Sequence, residues 1–191
     1  AASWYYLFVS YKVENSIPQI SIYVNVYNPA EADAASSDPV DQTIFITASA
    51  SPLDASNLKV TAAGSQYGYA GFCGAISHVV IVAHYFNDIN YRYHFRYGLD
   101  ASLLLNIPFF ENLGQYARDI SGNSRHTTLG VDITTTTNDP IWSSRNENGI
   151  KFTGNSYAII PTFDFSPNPF TMVFWIRITE IQTSFLIAFP V

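Results

Sequence analysis

The chain has 191 residues, of which 48% are hydrophobic and only 13% are charged, and its formal net charge is −6. Disorder requires low hydrophobicity and high charge, so this composition excludes a disordered chain and predicts a buried core. The negative charge and the lack of a basic run exclude nucleic acid as a partner on electrostatic grounds.

Apolar residues occur in short runs or in alternation with polar ones, which is typical of β-strands, and helical periodicity is almost missing. In chain order, strands are predicted over residues 4–11, 19–26, 42–49, 58–61, 75–86, 103–110, 149–152, 157–160, 170–178 and 184–189. Turn signals separate them, and the stretches 29–41 and 127–138 are predicted to be exposed loops. About ten such strands predict an all-β sandwich or barrel.

The strand over residues 170–178 is predicted to be central, because both of its faces are apolar. Phe170, Met172, Phe174 and Ile176 alternate onto one face, while Val173 and Trp175 belong to the other. No apolar run reaches the roughly 18 residues of a membrane-spanning helix, so no membrane span is predicted.

The single cysteine, Cys73, excludes a disulfide framework within the chain, and its apolar neighbours predict a buried thiol. Lysine is nearly absent, so the surface must be rich in Ser, Thr, Asn and Tyr. Such a surface indicates an extracellular or cell-surface protein.

Five motifs follow one another in the second half of the chain. They are Pro108-Phe109-Phe110, Asp119-Ile120-Ser121-Gly122-Asn123, Gly149-Ile150-Lys151-Phe152-Thr153-Gly154, Tyr157-Ala158-Ile159-Ile160-Pro161 and Phe170-Thr171-Met172-Val173-Phe174-Trp175. This order resembles the N-terminal half of laminin-G-like (pentraxin-type) modules of the concanavalin A-like lectin/glucanase superfamily. The resemblance implies an all-β, antiparallel sandwich of the jelly-roll type.

Residues 1–95 resemble the C-terminal half of the same module. The similarity lies in the strands at 4–11 and 20–25 and in the Phe72-x-Gly74-x-Ile76 strand over 71–81. Residues 96–191 carry the N-terminal half, so the two halves together equal one complete module in reversed order. The chain is either a window from a tandem array or a unit whose halves pair, within one chain or between neighbouring chains.

The two terminal strands are expected to drive assembly. Their apolar residues are Trp4, Leu7, Val9, Phe185, Ile187 and Phe189. Burial of each such side chain stabilises by about 1.5–3 kcal/mol, so the two strands cannot both stay exposed. We expect them to complete a sheet within the chain, with copies of the chain or with neighbouring modules.

Enzymatic activity is not expected. Related glycosidases carry E-x-D-x-E or E-x-D-x-x-E on one strand, and the chain contains neither sequence. Cys73 and His78 are five residues apart, which on a regular strand places them on opposite faces and excludes a catalytic pair.

Calcium is an open question at the Asp119 turn. Related modules often bind calcium through the Asp of D-x-S-G-N, which makes Asp119 and Asn123 the candidate ligands. The closing acidic position is Ser77, which removes a charged ligand, so a purely structural turn stays the alternative. In that turn Asp119 accepts backbone N–H bonds and Gly122 supplies a positive φ.

The resemblance also implies glycan binding as an alternative function. Tyr67, Tyr69 and Trp142 are loop aromatics that can stack on a sugar. The expected function is a structural and adhesive repeat unit of an extracellular tandem-domain protein or filament, with copies of itself or neighbouring modules as partners. The alternative is a carbohydrate-binding lectin module.

Overall fold

The computed structural model describes residues 4–15, 17–27, 42–47, 60–62, 72–85, 102–130, 132–134, 139–143, 149–153, 156–161, 169–179 and 187–188. All regular structure in these ranges is β-strand, and every strand pair is antiparallel. Within them there is no helix long and apolar enough to cross a membrane.

The strands match the sequence prediction closely. They are β1 (Trp4–Glu14), β2 (Ile17–Tyr27), β3 (Gln42–Thr47), β4 (Val60–Ala62), β5 (Cys73–Val82), β6 (Leu103–Ile107), β7 (Tyr116–Ala117), β8 (Thr127–Leu129), β9 (Ile141–Trp142), β10 (Ile150–Thr153), β11 (Ala158–Ile160), β12 (Phe170–Ile178) and β13 (Ile187–Ala188). All ten predicted strands are found. The three short strands β7, β8 and β9 were not predicted, and β8 lies in a predicted loop.

The strands form two sheets. The larger has eight strands in the order β3-β2-β1-β12-β5-β10-β9, and β6 also pairs with β5. The smaller has five strands in the order β13-β4-β11-β8-β7. A continuous core joins the two sheets, because Phe174 and Ile81 of the large sheet and Leu129 and Ile160 of the small one belong to a single buried cluster. The all-β antiparallel sandwich is therefore confirmed.

Strands from the two predicted halves are interleaved in the large sheet. β12, from residues 96–191, lies between β1 and β5, which come from residues 1–95. β5 in turn pairs with β6 and β10 of the second half. In the small sheet, β4 of the first half lies between β13 and β11 of the second. The halves therefore pair within one chain in this structure, which was one of the open arrangements.

The first strand has a partner on both sides within the chain over residues 4–11. β1 runs antiparallel to β2 on one side, from Trp4↔Tyr27 to Glu14↔Ile17, and to β12 on the other, from Trp4↔Arg177 to Tyr11↔Phe170. Neither backbone edge of β1 at Trp4, Leu7 and Val9 is therefore left for a neighbouring chain. At the other terminus, Ile187 of β13 pairs with Ala62, while Phe185 and Phe189 lie outside the described residues.

The prediction that β12 is central is confirmed. Its residues Phe170, Met172, Phe174 and Ile176 are in the core, and β1 and β5 flank it. Cys73 is half-buried, so the prediction of a buried thiol is wrong.

Candidate functional site

The large sheet has a second face, directed away from the core. On β1, Tyr5, Leu7 and Val9 pack against the core, so the alternating residues Trp4 and Phe8 belong to the second face. By the same alternation, β12 contributes Thr171, Val173, Trp175 and Arg177 to this face, β5 contributes His78, Val80 and Val82, and β6 contributes Asn106.

Two tryptophans meet on the second face near the start of β1. The rings of Trp4 and Trp175 lie nearly parallel, with their centroids 6.0 Å apart and 13° between their planes. Trp4 is opposite Arg177 in the register, which makes Trp175 its diagonal neighbour. The guanidinium carbon of Arg177 lies 5.3 Å from the centroid of the Trp4 ring, a cation–π arrangement.

A histidine–asparagine pair extends this group across β5 and β6. His78 is opposite Trp175 in the register, and its Nε2 lies 2.7 Å from Asn106 Oδ1. An amide oxygen only accepts, so His78 Nε2 is the donor. Burial lowers the pKa of His78, and the hydrogen bond that His78 donates to Asn106 opposes this shift only in part. The imidazole is therefore neutral near pH 7.

We refer to Trp4, Trp175, Arg177, His78 and Asn106 as the second-face cluster. All five side chains are half-buried. Phe8, Val80 and Val82 form a buried apolar group further along the same face, with Leu103 and Val173 packed against it. The cluster thus combines two tryptophan rings, a cation and uncharged polar groups, and a buried apolar group lies beside it. Sites for small ligands have a similar composition.

Asp119 organises the turn after β7. Its Oδ1 accepts from the backbone N–H groups of Asn106 (3.0 Å) and Ser121 (2.9 Å). Its Oδ2 accepts from the Ser121 hydroxyl (2.8 Å) and the Arg125 backbone N–H (2.9 Å). Burial opposes ionisation, but these donors outweigh it and lower the pKa of Asp119. Gly122 has the predicted positive φ, at +91°.

Both calcium candidates, Asp119 and Asn123, already make hydrogen bonds within the protein. A carboxylate offers about four lone-pair sites, and four protein donors occupy those of Asp119. Asn123 uses its side-chain nitrogen, which donates to the carbonyls of Leu103 (3.0 Å) and Leu104 (3.1 Å). Among the described residues, no three His, Cys, Asp or Glu side chains are grouped to hold a metal ion. This geometry favours the structural turn over a calcium site.

Trp142 lies at a different place, where the edges of the two sheets meet. It belongs to β9, the edge of the large sheet, and its Nε1 donates to the Gly114 carbonyl at 2.7 Å. Gly114 precedes β7, the edge strand of the small sheet, and Leu113 beside it is 74% exposed. Tyr67 and Tyr69, the other glycan candidates, lie outside the described residues.

The sequence prediction missed the second-face cluster as a group. Trp175 was placed on the second apolar face of β12, opposite Phe174, and Trp4 was interpreted as an assembly residue. His78 was considered only as a partner of Cys73 in a catalytic pair, which was rejected, and Asn106 was not singled out. Residue alternation could have identified Trp175 and Arg177, but the Trp4–Trp175 and His78–Asn106 contacts depend on strand order.

Comparisons of the chain with family models, with curated proteins and with solved structures find no match. The resemblance to laminin-G-like modules therefore stays a prediction.

Proposed function

We propose that this chain is a non-enzymatic structural and adhesive unit of an extracellular or cell-surface protein, in which half-sandwiches of the concanavalin A-like type complete one another. The observation that supports this proposal is that strands from residues 1–95 lie between strands from residues 96–191, or beside them, in both sheets. Each half on its own leaves unpaired sheet edges, which recruit other strands.

The same pairing can form within a chain or between chains. If residues 1–95 of one copy pair with residues 96–191 of another, each copy keeps one free half, so the two-copy complex has a free half at each end. Repetition of such a head-to-tail contact gives an open fibre. Strand addition of this kind supplies many main-chain hydrogen bonds and suits an adhesive or filament-forming protein.

A disulfide at the junction of the halves tests this proposal. Ser10 and Thr171 are opposite each other on β1 and β12, and their hydroxyl oxygens lie 2.9 Å apart. Directly opposed residues of antiparallel strands have the Cα separation that a disulfide requires. The variant is Ser10→Cys with Thr171→Cys and Cys73→Ser, oxidised at rising protein concentration and resolved on a non-reducing gel.

The expected result is a ladder of covalently linked chains that grows with concentration, because inter-chain pairing links one copy to the next. A single Ser10→Cys variant in the Cys73→Ser background is the control, since it can form only covalent dimers. Single cross-linked chains at every concentration, together with a monomeric mass by light scattering, would contradict assembly by sheet completion.

Carbohydrate binding is the second candidate function. The observation that favours it is the second-face cluster, where tryptophan rings adjoin uncharged polar side chains. The test is a glycan array with the intact chain, with and without calcium. An array without binding under both conditions would exclude carbohydrate binding. The structural role would still be tested by the disulfide experiment.

A further inference from the structure

We propose that the second-face cluster is a platform for a neutral hexopyranose oligosaccharide. This inference rests on the second candidate function, carbohydrate binding, and it assigns that function a location and a ligand class. The platform lies apart from Trp142, one of the aromatics that the sequence suggested as glycan contacts, because Trp142 belongs to the edge strand β9.

The two tryptophans provide the stacking surface. Aromatic carbons in contact lie about 3.5–4.0 Å apart, so centroids 6.0 Å apart in nearly parallel rings mean that the rings are displaced sideways. Each ring therefore leaves part of its face uncovered by the other. An indole face carries partial negative charge, which attracts the partly positive C–H groups on the apolar side of a pyranose ring.

The His78–Asn106 pair provides the polar complement beside these rings. His78 Nε2 donates to Asn106 Oδ1, which leaves the imidazole Nδ1 as an acceptor and the Asn106 Nδ2 as a donor. A sugar hydroxyl both donates and accepts, so an adjacent acceptor and donor match its chemistry. His78 is next to Trp175 across the strand pair, which places these polar atoms at the rim of the stacking surface.

The cluster offers uncharged polar atoms beside Trp175, which favours a neutral ligand. Its only cationic side chain, Arg177, lies over the ring of Trp4, and His78 is neutral near pH 7. The remaining polar groups are uncharged donors and acceptors. Hydroxyl groups match such a set better than a carboxylate or a sulfate, which requires charged partners.

The first experiment measures saccharide binding by the intact chain. Neutral and acidic oligosaccharides are screened on an array, and a binding neutral oligosaccharide is titrated by calorimetry against the wild type, Trp175→Ala and Trp142→Ala. We expect Trp175→Ala to weaken binding about tenfold or more, as loss of a central aromatic contact does. Trp142→Ala is the matched control and should retain binding. Near-UV circular dichroism verifies that each variant is folded.

A second measurement needs no substitution in the cluster. The chain has three tryptophans, so in Trp142→Phe all indole emission comes from Trp4 and Trp175. Titration of that variant with the neutral oligosaccharide should shift its emission and protect it from quenching by acrylamide. This measurement decides the location even if Trp175→Ala does not fold.

The possible results separate the site from the function. Binding of a neutral oligosaccharide that Trp175→Ala weakens and that changes the emission of Trp142→Phe supports the proposal. Binding that leaves both readouts unchanged overturns the site but keeps carbohydrate binding. Binding confined to acidic saccharides overturns the ligand class. A blank array overturns both the site and the carbohydrate function.

Discussion

Ser10 Oγ and Thr171 Oγ1 lie 2.9 Å apart in the buried interior, although 161 positions separate the two residues in the chain. Thr171 Oγ1 also donates to the His84 carbonyl at 2.7 Å. Because a hydroxyl has one proton, Ser10 is the donor to Thr171. This short chain of hydrogen bonds connects β1, β12 and the segment after β5, and it joins the two halves of the sandwich.

Thr171→Val should destabilise the fold more than Ser10→Ala. Ser10→Ala removes one hydrogen bond but leaves Thr171 bonded to the His84 carbonyl, at a cost of about 1 kcal/mol. Thr171→Val leaves the buried Ser10 hydroxyl without its acceptor, at a cost of about 2–3 kcal/mol. Urea unfolding of both variants measures the difference. The double variant should lower the free energy of unfolding by less than the sum of the two single variants. Equal losses in the single variants, or a larger loss in Ser10→Ala, would contradict these donor roles.

Asp119→Asn should destabilise the fold by about 2–3 kcal/mol, because a neutral amide cannot replace a carboxylate that accepts four hydrogen bonds. Asp132→Asn is the matched control. Asp132 also accepts from the residue two positions later, Thr134, but it is fully exposed. Its substitution should leave the free energy of unfolding nearly unchanged. Similar losses of unfolding free energy in the two variants would show that burial of the Asp119 turn does not contribute to stability.

The same carboxylate predicts acid sensitivity. The folded pKa of Asp119 is lowered, so its contribution to stability is present above the unfolded pKa of about 3.9. That contribution is lost as the pH falls below this value and through the lower folded pKa. The wild type should therefore lose stability on acidification below about pH 4, and Asp119→Asn should lack this part of the loss. Parallel stability curves for the two proteins would contradict the prediction.

Calcium should not stabilise the Asp119 turn. Because four protein donors already occupy the carboxylate, a cation would have to displace hydrogen bonds that hold the turn. Thermal unfolding with excess calcium and with a chelator should give the same midpoint. A rise in the midpoint with calcium that Asp119→Asn abolishes would instead establish Asp119 as a ligand.

Local pattern was sufficient to predict the long strands. The alternation of Ile20, Ile22 and Val24, for example, lies within the observed β2. The two-residue strands β7 and β9 could not be predicted, because so short a segment shows no alternation of apolar and polar residues. Such a strand forms only where a neighbouring strand is already in place. The second-face cluster was missed for a related reason, since Trp4 and Trp175 become neighbours only through pairing of the chain's two ends.

One face assignment was wrong because of a bulge. The register between β12 and β5 shifts at Trp175/Ile176, where Trp175 is opposite His78 but Ile176 is opposite Ile76. Ser77 is therefore an extra residue, and it reverses the alternation that a regular strand would follow. Cys73 and His78 consequently belong to the same face, not to opposite faces as predicted. A single sequence gives no periodic signal for such an insertion.

His78 should make stability depend on pH in the weakly acidic range. Its folded pKa is lowered, with burial as the main cause, whereas the unfolded imidazole takes up a proton near pH 6.5. As the pH falls below about 6.5, protonation therefore favours the unfolded chain, and stability declines until the folded pKa is reached. His78→Gln should show a smaller decline between pH 6.5 and 5 by urea unfolding. An unchanged or steeper slope would show that His78 does not control this range.

Gly149 and Gly122 should respond very differently to alanine, although both have a positive φ, +144° and +91° respectively. At Gly122 an added Cβ has no atom within 4 Å, so Gly122→Ala should cost only the backbone strain, about 1–2 kcal/mol. At Gly149 the Cβ would lie 2.6 Å from the carbonyl oxygen of Ile76, which is backbone of β5 and cannot rotate away. Gly149→Ala must therefore also separate β10 from β5, at a total of about 3 kcal/mol or more. Urea unfolding of the two variants measures this difference, and equal losses would mean that β5 and β10 are not packed closely at this point.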